Sequence, residues 1–309
     1  MHAVQVQAWS EGPRYVNVAD PPEPTENQIQ LRVLAAGLHQ VVRSRAEGTH
    51  YSAKELPHRL GIDCVGKDVA TGKLYFCLNI APGFGTFAEY VTVDKSAVYP
   101  LPDGVDAAAL AASVNPAMSS WMAITQRTVN LPPNYTALIV GATSASGKLA
   151  VHAARALGAG RVIGVARNAA ALESVDGLDQ RIVLGDPVTE TDFSKVDCDL
   201  ILDYIYGDAT VHLLSSLKTK KPVQYVQIGS VAAREASLPA QLFRSYDLTV
   251  RGAGPGAWRL SALQEELKTL VPKLAGWKLL EVHSVPLRDI EAAWNDKSLG
   301  AKGRLVFIP

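Results

Sequence analysis

The chain has 309 residues, 48% hydrophobic and 19% charged, with 30 basic side chains balanced by 30 acidic ones. That length predicts two domains, each able to bury its own core, and the charge balance argues against nucleic acid or an anionic membrane as partner and in favour of a small molecule. Cys64, Cys77 and Cys198, without CxxC spacing, support neither a disulfide framework nor a structural zinc lobe, and with no signal-like or membrane-spanning stretch a cytoplasmic protein with reduced, buried thiols is expected.

In chain order, the first third reads as short strands: "HAVQVQAW", "YVNVAD", "QIQLRVLAAGL", "CVGKDVA", "KLYFCL" and "TFAEYVTV" alternate apolar and polar residues or carry β-branched ones. The stretch "DPPEPTEN" between them is a loop, because its prolines lack ladder donors. Near Val105 the texture changes, and "DAAALAASVNPAMSSWMAITQR" has the alanines and apolar spacing of a helix. Strands and helices then alternate. "ALIVG", "RVIGVAR", "RIVLG", "DLILDYI", "VQYVQIG" and "LTVRGAG" are apolar enough for a parallel sheet covered on both faces, with "GKLAVHAARALG" and "ATVHLLSSLKT" among the helices. This is an α/β pattern, that of a doubly wound nucleotide-binding sheet. A helix in "RLSALQEELKTLVPKLAG" precedes "LLEVHSVPL", "DIEAAW" and the closing strand "GRLVFIP", which are expected to rejoin the first domain. The expected division is 1–112, 113–254 and a returning segment, 255–309.

The stretch "ALIVGATSASGKLAVHAARALG" runs from a strand through a turn into a helix. A dinucleotide turn needs glycine where the chain turns tightly and where helix packs on strand, and Gly141 and Gly147 hold those places. The residues between are Ala142, Thr143, Ser144, Ala145 and Ser146, all small enough to let backbone amides approach a diphosphate. The hydroxyls of Thr143, Ser144 and Ser146 are expected to donate there, and a helix starting at Ser146 adds free N–H groups and about half a positive charge. The second strand ends with Ala166, Arg167 and Asn168, so no carboxylate is present to grip two ribose hydroxyls. Arg167 offers instead a planar donor fork suited to a 2′-phosphate, which favours NADPH.

The order of "AAGLHQVVRSRAEGTHY", "LGIDCVG", "GTFAEYVTVD", "LPDGVDAAALAASVNPAMSSWMAI", the phosphate turn, "QYVQIGS" and "GRLVFIP" resembles the medium-chain dehydrogenase/reductase superfamily, in its zinc-independent quinone oxidoreductase and enoyl reductase branch. The resemblance implies a GroES-like β-barrel catalytic domain built from both chain ends and a Rossmann domain between them. It places His39, Ile62 and Asn115 at the positions where zinc-dependent relatives hold metal. Ile62 cannot bind zinc and Asn115 is a poor ligand, so no metal is expected and His39 is read as a hydrogen-bonding residue of the cleft wall. Relatives of this branch usually carry Asn at the His39 position and Asp where this chain has Val42. The resemblance further implies a cleft tyrosine at Tyr51 as proton donor or substrate orienter, assisted by His39. It adds Ser119 near the nicotinamide phosphate, Ile228 and Gly229 at the nicotinamide pocket, and Lys302 near a phosphate. His50 and His58 are expected at the surface. Family members often dimerise through Rossmann sheet edges, which makes "QYVQIGS" to "LTVRGAG" the candidate interface.

The expected reaction is hydride transfer from NADPH to an activated C=C bond (enone or enoyl, including a carrier-bound thioester) or to a quinone, since neither needs a metal-stabilised alkoxide. The alternative is a non-catalytic NADPH-binding regulatory or structural protein, which the irregular phosphate turn would also permit. Charge-assisted hydrogen bonds of the Arg167 kind are worth about 1.5–3 kcal/mol. Arg167→Ala is therefore expected to weaken NADPH binding about tenfold or more and to leave NADH binding unchanged, as read by calorimetry.

Overall fold

The computed structural model describes residues 1–50, 52–81, 83–296 and 298–309, with the backbone alone at Ala301 and Lys302. It divides into two compact units: Met1–Asn115 with Leu267–Pro309, and Pro116–Glu266. The second division falls between Glu266 and Leu267, inside a helix. Glu266 explains this locally, because its carboxylate accepts from Trp121 Nε1 at 2.6 Å and Gln126 Nε2 at 2.9 Å within the second unit.

The first unit opens with β1 (His2–Val6), β2 (Arg14–Asn17), β3 (Gln28–Gly37), the short helix α1 (Gln40–Ala46), and β4 (His58–Arg59). β5 (Asp63–Asp68), β6 (Leu74–Leu78), β7 (Tyr90–Asp94) and β8 (Val98–Pro100) follow, and then α2 (Ala107–Arg127), whose first turn is fastened by Asp106 accepting from Ala109 N at 3.0 Å. The second unit contains β9 (Thr136–Val140), α3 (Ala145–Ala156), β10 (Arg161–Ala166), α4 (Ala169–Glu173), β11 (Gln180–Val183) and β12 (Leu200–Asp203). It continues through α5 (Asp208–Ser216), β13 (Val223–Gln227), α6 (Leu242–Ser245) and β14 (Leu248–Gly252). α7 (Leu260–Leu274), β15 (Val282–Pro286), α8 (Ile290–Ala293) and β16 (Arg304–Ile308) complete the chain.

In the first unit β2, β1 and β4 form one antiparallel sheet, and a second sheet runs β15-β16-β3-β5-β6-β8 with β7 also on β3. The closing strand β16 pairs antiparallel with β3, Val306 opposite Gly37, so both chain ends share one sheet. Burial supplies the reason: Phe307 is fully buried and meets Phe87 edge-on at 5.2 Å between ring centres. The three cysteines are buried and free, and Cys64 lies directly opposite Cys77 across β5 and β6. His58, expected at the surface, is buried under Trp9 and accepts from Arg45 Nε at 3.3 Å.

In the second unit all six strands are parallel, in the order β11-β10-β9-β12-β13-β14. Both faces of the central strands are covered, and β9 and β10 bury Ala137, Leu138, Ile139, Val140, Val162, Ile163 and Val165. The chain order reverses between β9 and β12. In such sheets ligands bind at that switch point, beyond the carboxyl ends of the strands.

Gly147 sets how closely α3 approaches β9. A Cβ there would lie 2.2 Å from Gly141 O and 2.7 Å from Ala142 Cα, and backbone atoms cannot swing aside. Gly147→Ala is expected to cost about 3 kcal/mol by overpacking. Gly252→Ala, with nothing within 4 Å of the added carbon, should stay within about 0.5 kcal/mol. Urea unfolding midpoints distinguish the two.

Candidate cofactor and active site

The phosphate turn is assembled from backbone hydrogen bonds. Gly141, in the left-handed region at φ 94°, and Ala142 both donate to Val165 O, at 2.8 and 3.1 Å, while Ser144 N donates to Gly141 O at 3.0 Å. Helix α3 begins at Ala145, one residue earlier than expected, because Ser144 caps it: its hydroxyl oxygen accepts from Gly147 N at 3.0 Å. The Ser144 hydroxyl also donates to Gly141 O at 2.8 Å, so its proton is committed inside the turn. The expected donation to a phosphate would take that proton from Gly141 O. The N–H groups of Thr143, Ala145 and Ser146 are the ones the turn leaves over, and they cluster at the positive end of α3.

Arg167 follows β10 directly and is exposed. It lines a cavity of about 1060 Å³ together with Leu184, Gly185, Asp186, Ile205 and Asp208. Among the described lining residues Arg167 is the one Lys or Arg. Asn168 is differently employed. Its side-chain oxygen caps α4 by accepting from Ala171 N at 2.9 Å, which leaves only its NH₂ group for a ligand. Ile228 and Gly229 lie just beyond β13, and both N–H groups donate to Asp203 O, at 2.8 and 3.0 Å. Gly229 is required there, since a Cβ would sit 2.6 Å from Tyr204 O.

The loop after β12 hangs on the buried Asp203 carboxylate, which spacing does not single out. One oxygen accepts from Ile205 N at 2.8 Å and Tyr206 N at 3.0 Å; the other accepts from Tyr225 OH at 2.8 Å and from the Thr210 hydroxyl. Burial, and next the Asp203 charge, push the Tyr225 phenol upward, so it stays a donor. Ser119, on α2, gives its hydroxyl proton to Pro116 O at 2.7 Å. The turn residues, Arg167, Asn168, Ile228 and Gly229 thus follow the carboxyl ends of β9, β10 and β13 along one edge of the sheet.

In the first unit His39 is 2% exposed and held from both sides. Its Nε2 lies 3.0 Å from Asp63 Oδ1 and its Nδ1 is 2.8 Å from a terminal nitrogen of Arg304. A guanidinium only donates, so Nδ1 is the acceptor, and Nε2 carries the proton and donates to the carboxylate. The imidazole is therefore a neutral bridge between two charges, with no proton or lone pair left over. Neither nitrogen is then spare for assisting a proton donor beside it. Gly37 makes room for the ring, because a Cβ there would lie 2.7 Å from His39 Nε2. Asp63 and Arg304 are partners the sequence does not announce, separated from His39 by 24 and 265 positions. Ile62 is buried among apolar side chains, and among the described residues no three His, Cys, Asp or Glu form a metal-binding group. Tyr51 lies outside the described residues. Lys302 ends a short 3-10 turn, Leu299–Lys302, ahead of β16.

A parallel six-stranded sheet with a glycine-bounded phosphate turn at its switch point, in a chain whose other unit is a largely antiparallel β-structure closed by both chain ends, defines a dinucleotide-dependent dehydrogenase or reductase. No protein-family model matches the chain. Its full length, however, is 35% identical to the full length of tdiC of Emericella nidulans, named a probable NADPH-dependent quinone reductase. The chain belongs to the medium-chain dehydrogenase/reductase superfamily, in its quinone oxidoreductase branch. That alignment runs over 359 positions, so the relative carries segments this chain lacks. The quinone oxidoreductase of Thermus thermophilus, solved also in complex with NADPH, superposes with a TM-score of 0.80 at 25% identity, covering 100% of each chain. The Pseudomonas syringae quinone oxidoreductase shares the fold, at TM-score 0.75 and 22% identity over 100% of this chain and 99% of that one. No helix among the described residues is long and apolar enough to cross a membrane.

Removing His39 would leave a buried carboxylate facing a guanidinium across a gap. Breaking such an arrangement by deleting one member costs about 3 kcal/mol or more. His39→Leu is expected to lower the urea midpoint accordingly, whereas His39→Gln, which keeps a donor and an acceptor, should recover part of the loss.

Proposed function

We propose that this chain is an NADPH-dependent quinone reductase, and the observation that carries the reading is end-to-end 35% identity with a quinone reductase of that cofactor. The site supports it. The N–H groups of Thr143, Ala145 and Ser146 would hold the diphosphate, and Arg167, exposed on its cavity, would hold the 2′-phosphate that distinguishes NADPH from NADH. The cofactor supplies a hydride when bound.

The chain's own work is alignment and proton supply. The quinone oxygens gain negative charge on reduction and must be protonated. With both His39 nitrogens committed, the proton comes from Tyr51, as the resemblance implies, or from water. Ile62 and Asn115 offer no adequate zinc ligand set, which supports zinc-independent chemistry and suits acceptors such as quinones and activated alkenes that form no metal-bound alkoxide. We place this activity in the cytoplasm, with a second copy adding at the edge strand β14 as the family resemblance suggests.

Loss of NADPH absorbance on mixing purified protein with a panel of quinones, enones and enoyl thioesters tests the reading. Turnover is expected with quinones, faster with NADPH than with NADH and unchanged by a chelator. Tight NADPH binding without reduction of any acceptor would instead establish the non-catalytic alternative.

A further inference from the structure

We propose that Tyr204 is a positioning residue of the cofactor site: its hydroxyl holds Ser119 so that the Ser119 hydroxyl donates to an anionic oxygen of the bound dinucleotide. The inference rests on the NADPH reading above and adds a residue to it.

Tyr204 follows β12 immediately, and its N–H donates to Val140 O at 3.1 Å. Glycines flank it on two sides. A Cβ on Gly141 would come within 3.4 Å of Tyr204 Cβ, and one on Gly229 would come within 2.6 Å of Tyr204 O. The residue therefore sits at the switch point, against the phosphate turn on one side and the end of β13 on the other. Its side chain is 6% exposed. Its hydroxyl oxygen is buried beside the Ser119 and Ser120 hydroxyls, yet completes no hydrogen bond of good geometry among the described residues. Burial pushes the phenol up to about 12, so the group remains a donor. A buried hydroxyl whose neighbours do not meet it in good alignment is costly and calls for a reason.

The two serines supply it. Each already gives its proton to a helix carbonyl, Ser119 to Pro116 O at 2.7 Å and Ser120 to Ala117 O at 3.0 Å. Each can therefore offer Tyr204 only a lone pair. Ser120 is fully buried, whereas Ser119 is half-buried. Ser119 alone of the pair can reach a ligand at the carboxyl edge. An anionic oxygen there is a stronger acceptor than the Pro116 carbonyl. Turning the Ser119 hydroxyl toward it releases a carbonyl that the helix ladder also serves, and it brings a Ser119 lone pair into line with the Tyr204 hydroxyl. Both hydroxyls are then satisfied in one chain of donors, Tyr204 to Ser119 to ligand.

NADPH affinity of wild type, Tyr204→Phe, Ser119→Ala and the double variant, measured by calorimetry, tests this, with thermal unfolding as a check on the fold. Hydrogen bonds of these two kinds predict about fivefold weaker binding for Tyr204→Phe and about tenfold for Ser119→Ala. The double variant should bind no worse than Ser119→Ala, because Tyr204 acts through the serine. The KM for NADPH should rise with the Kd while the KM for quinone holds. Unchanged affinity in Tyr204→Phe, or effects that simply multiply, would overturn the proposal. Failure of the wild-type protein to bind NADPH at all would overturn the functional reading and this inference with it.

Discussion

The close approach of α3 to β9 sets the terms for everything at the carboxyl edge. With only hydrogen on Gly147 Cα, the helix descends until that residue stands against Gly141 O and Ala142 Cα. The turn between is then too short for its amides to satisfy one another. Gly141, Ala142, Ser144 and Gly147 find partners in the turn or on the neighbouring strand, and among the described residues three N–H groups do not. An anion site arises here as what remains after packing has been satisfied, with the helix dipole adding to it.

Two arginines show how burial sorts identical chemistry. Arg167 stands exposed beside a large cavity, free to offer a planar fork to a phosphate. Arg304 is half-buried, and burial draws its guanidinium below its usual range. It is held in place by donating to His39, whose other nitrogen answers to Asp63. The first is open to solvent. The second joins the last strand of the chain, through the imidazole, to the loop after β3.

Hydroxyl and amide side chains at the site divide in the same way. Ser144 and Asn168 spend their oxygens on helix caps, which stabilises the local turn and removes those atoms from ligand binding. Tyr204 does the reverse, since it is buried with its hydroxyl in no well-aligned hydrogen bond among the described residues. A folded chain tolerates such a group when something arrives to complete it.

The sequence by itself determined the alternation of apolar strands and helices, and with it the parallel sheet and the position of the phosphate turn. Gly141, Gly147 and the carboxylate-free end of β10 were equally legible, because periodicity and backbone freedom are local properties. What the tertiary structure decided was the partner of each polar side chain. His39 meets Asp63 and Arg304, and Cys64 meets Cys77, only when elements distant in sequence are brought together. Whether a hydroxyl or an imidazole is a free donor depends on which neighbours fill its lone pairs, and neighbours 24 or 265 positions away leave no trace in spacing.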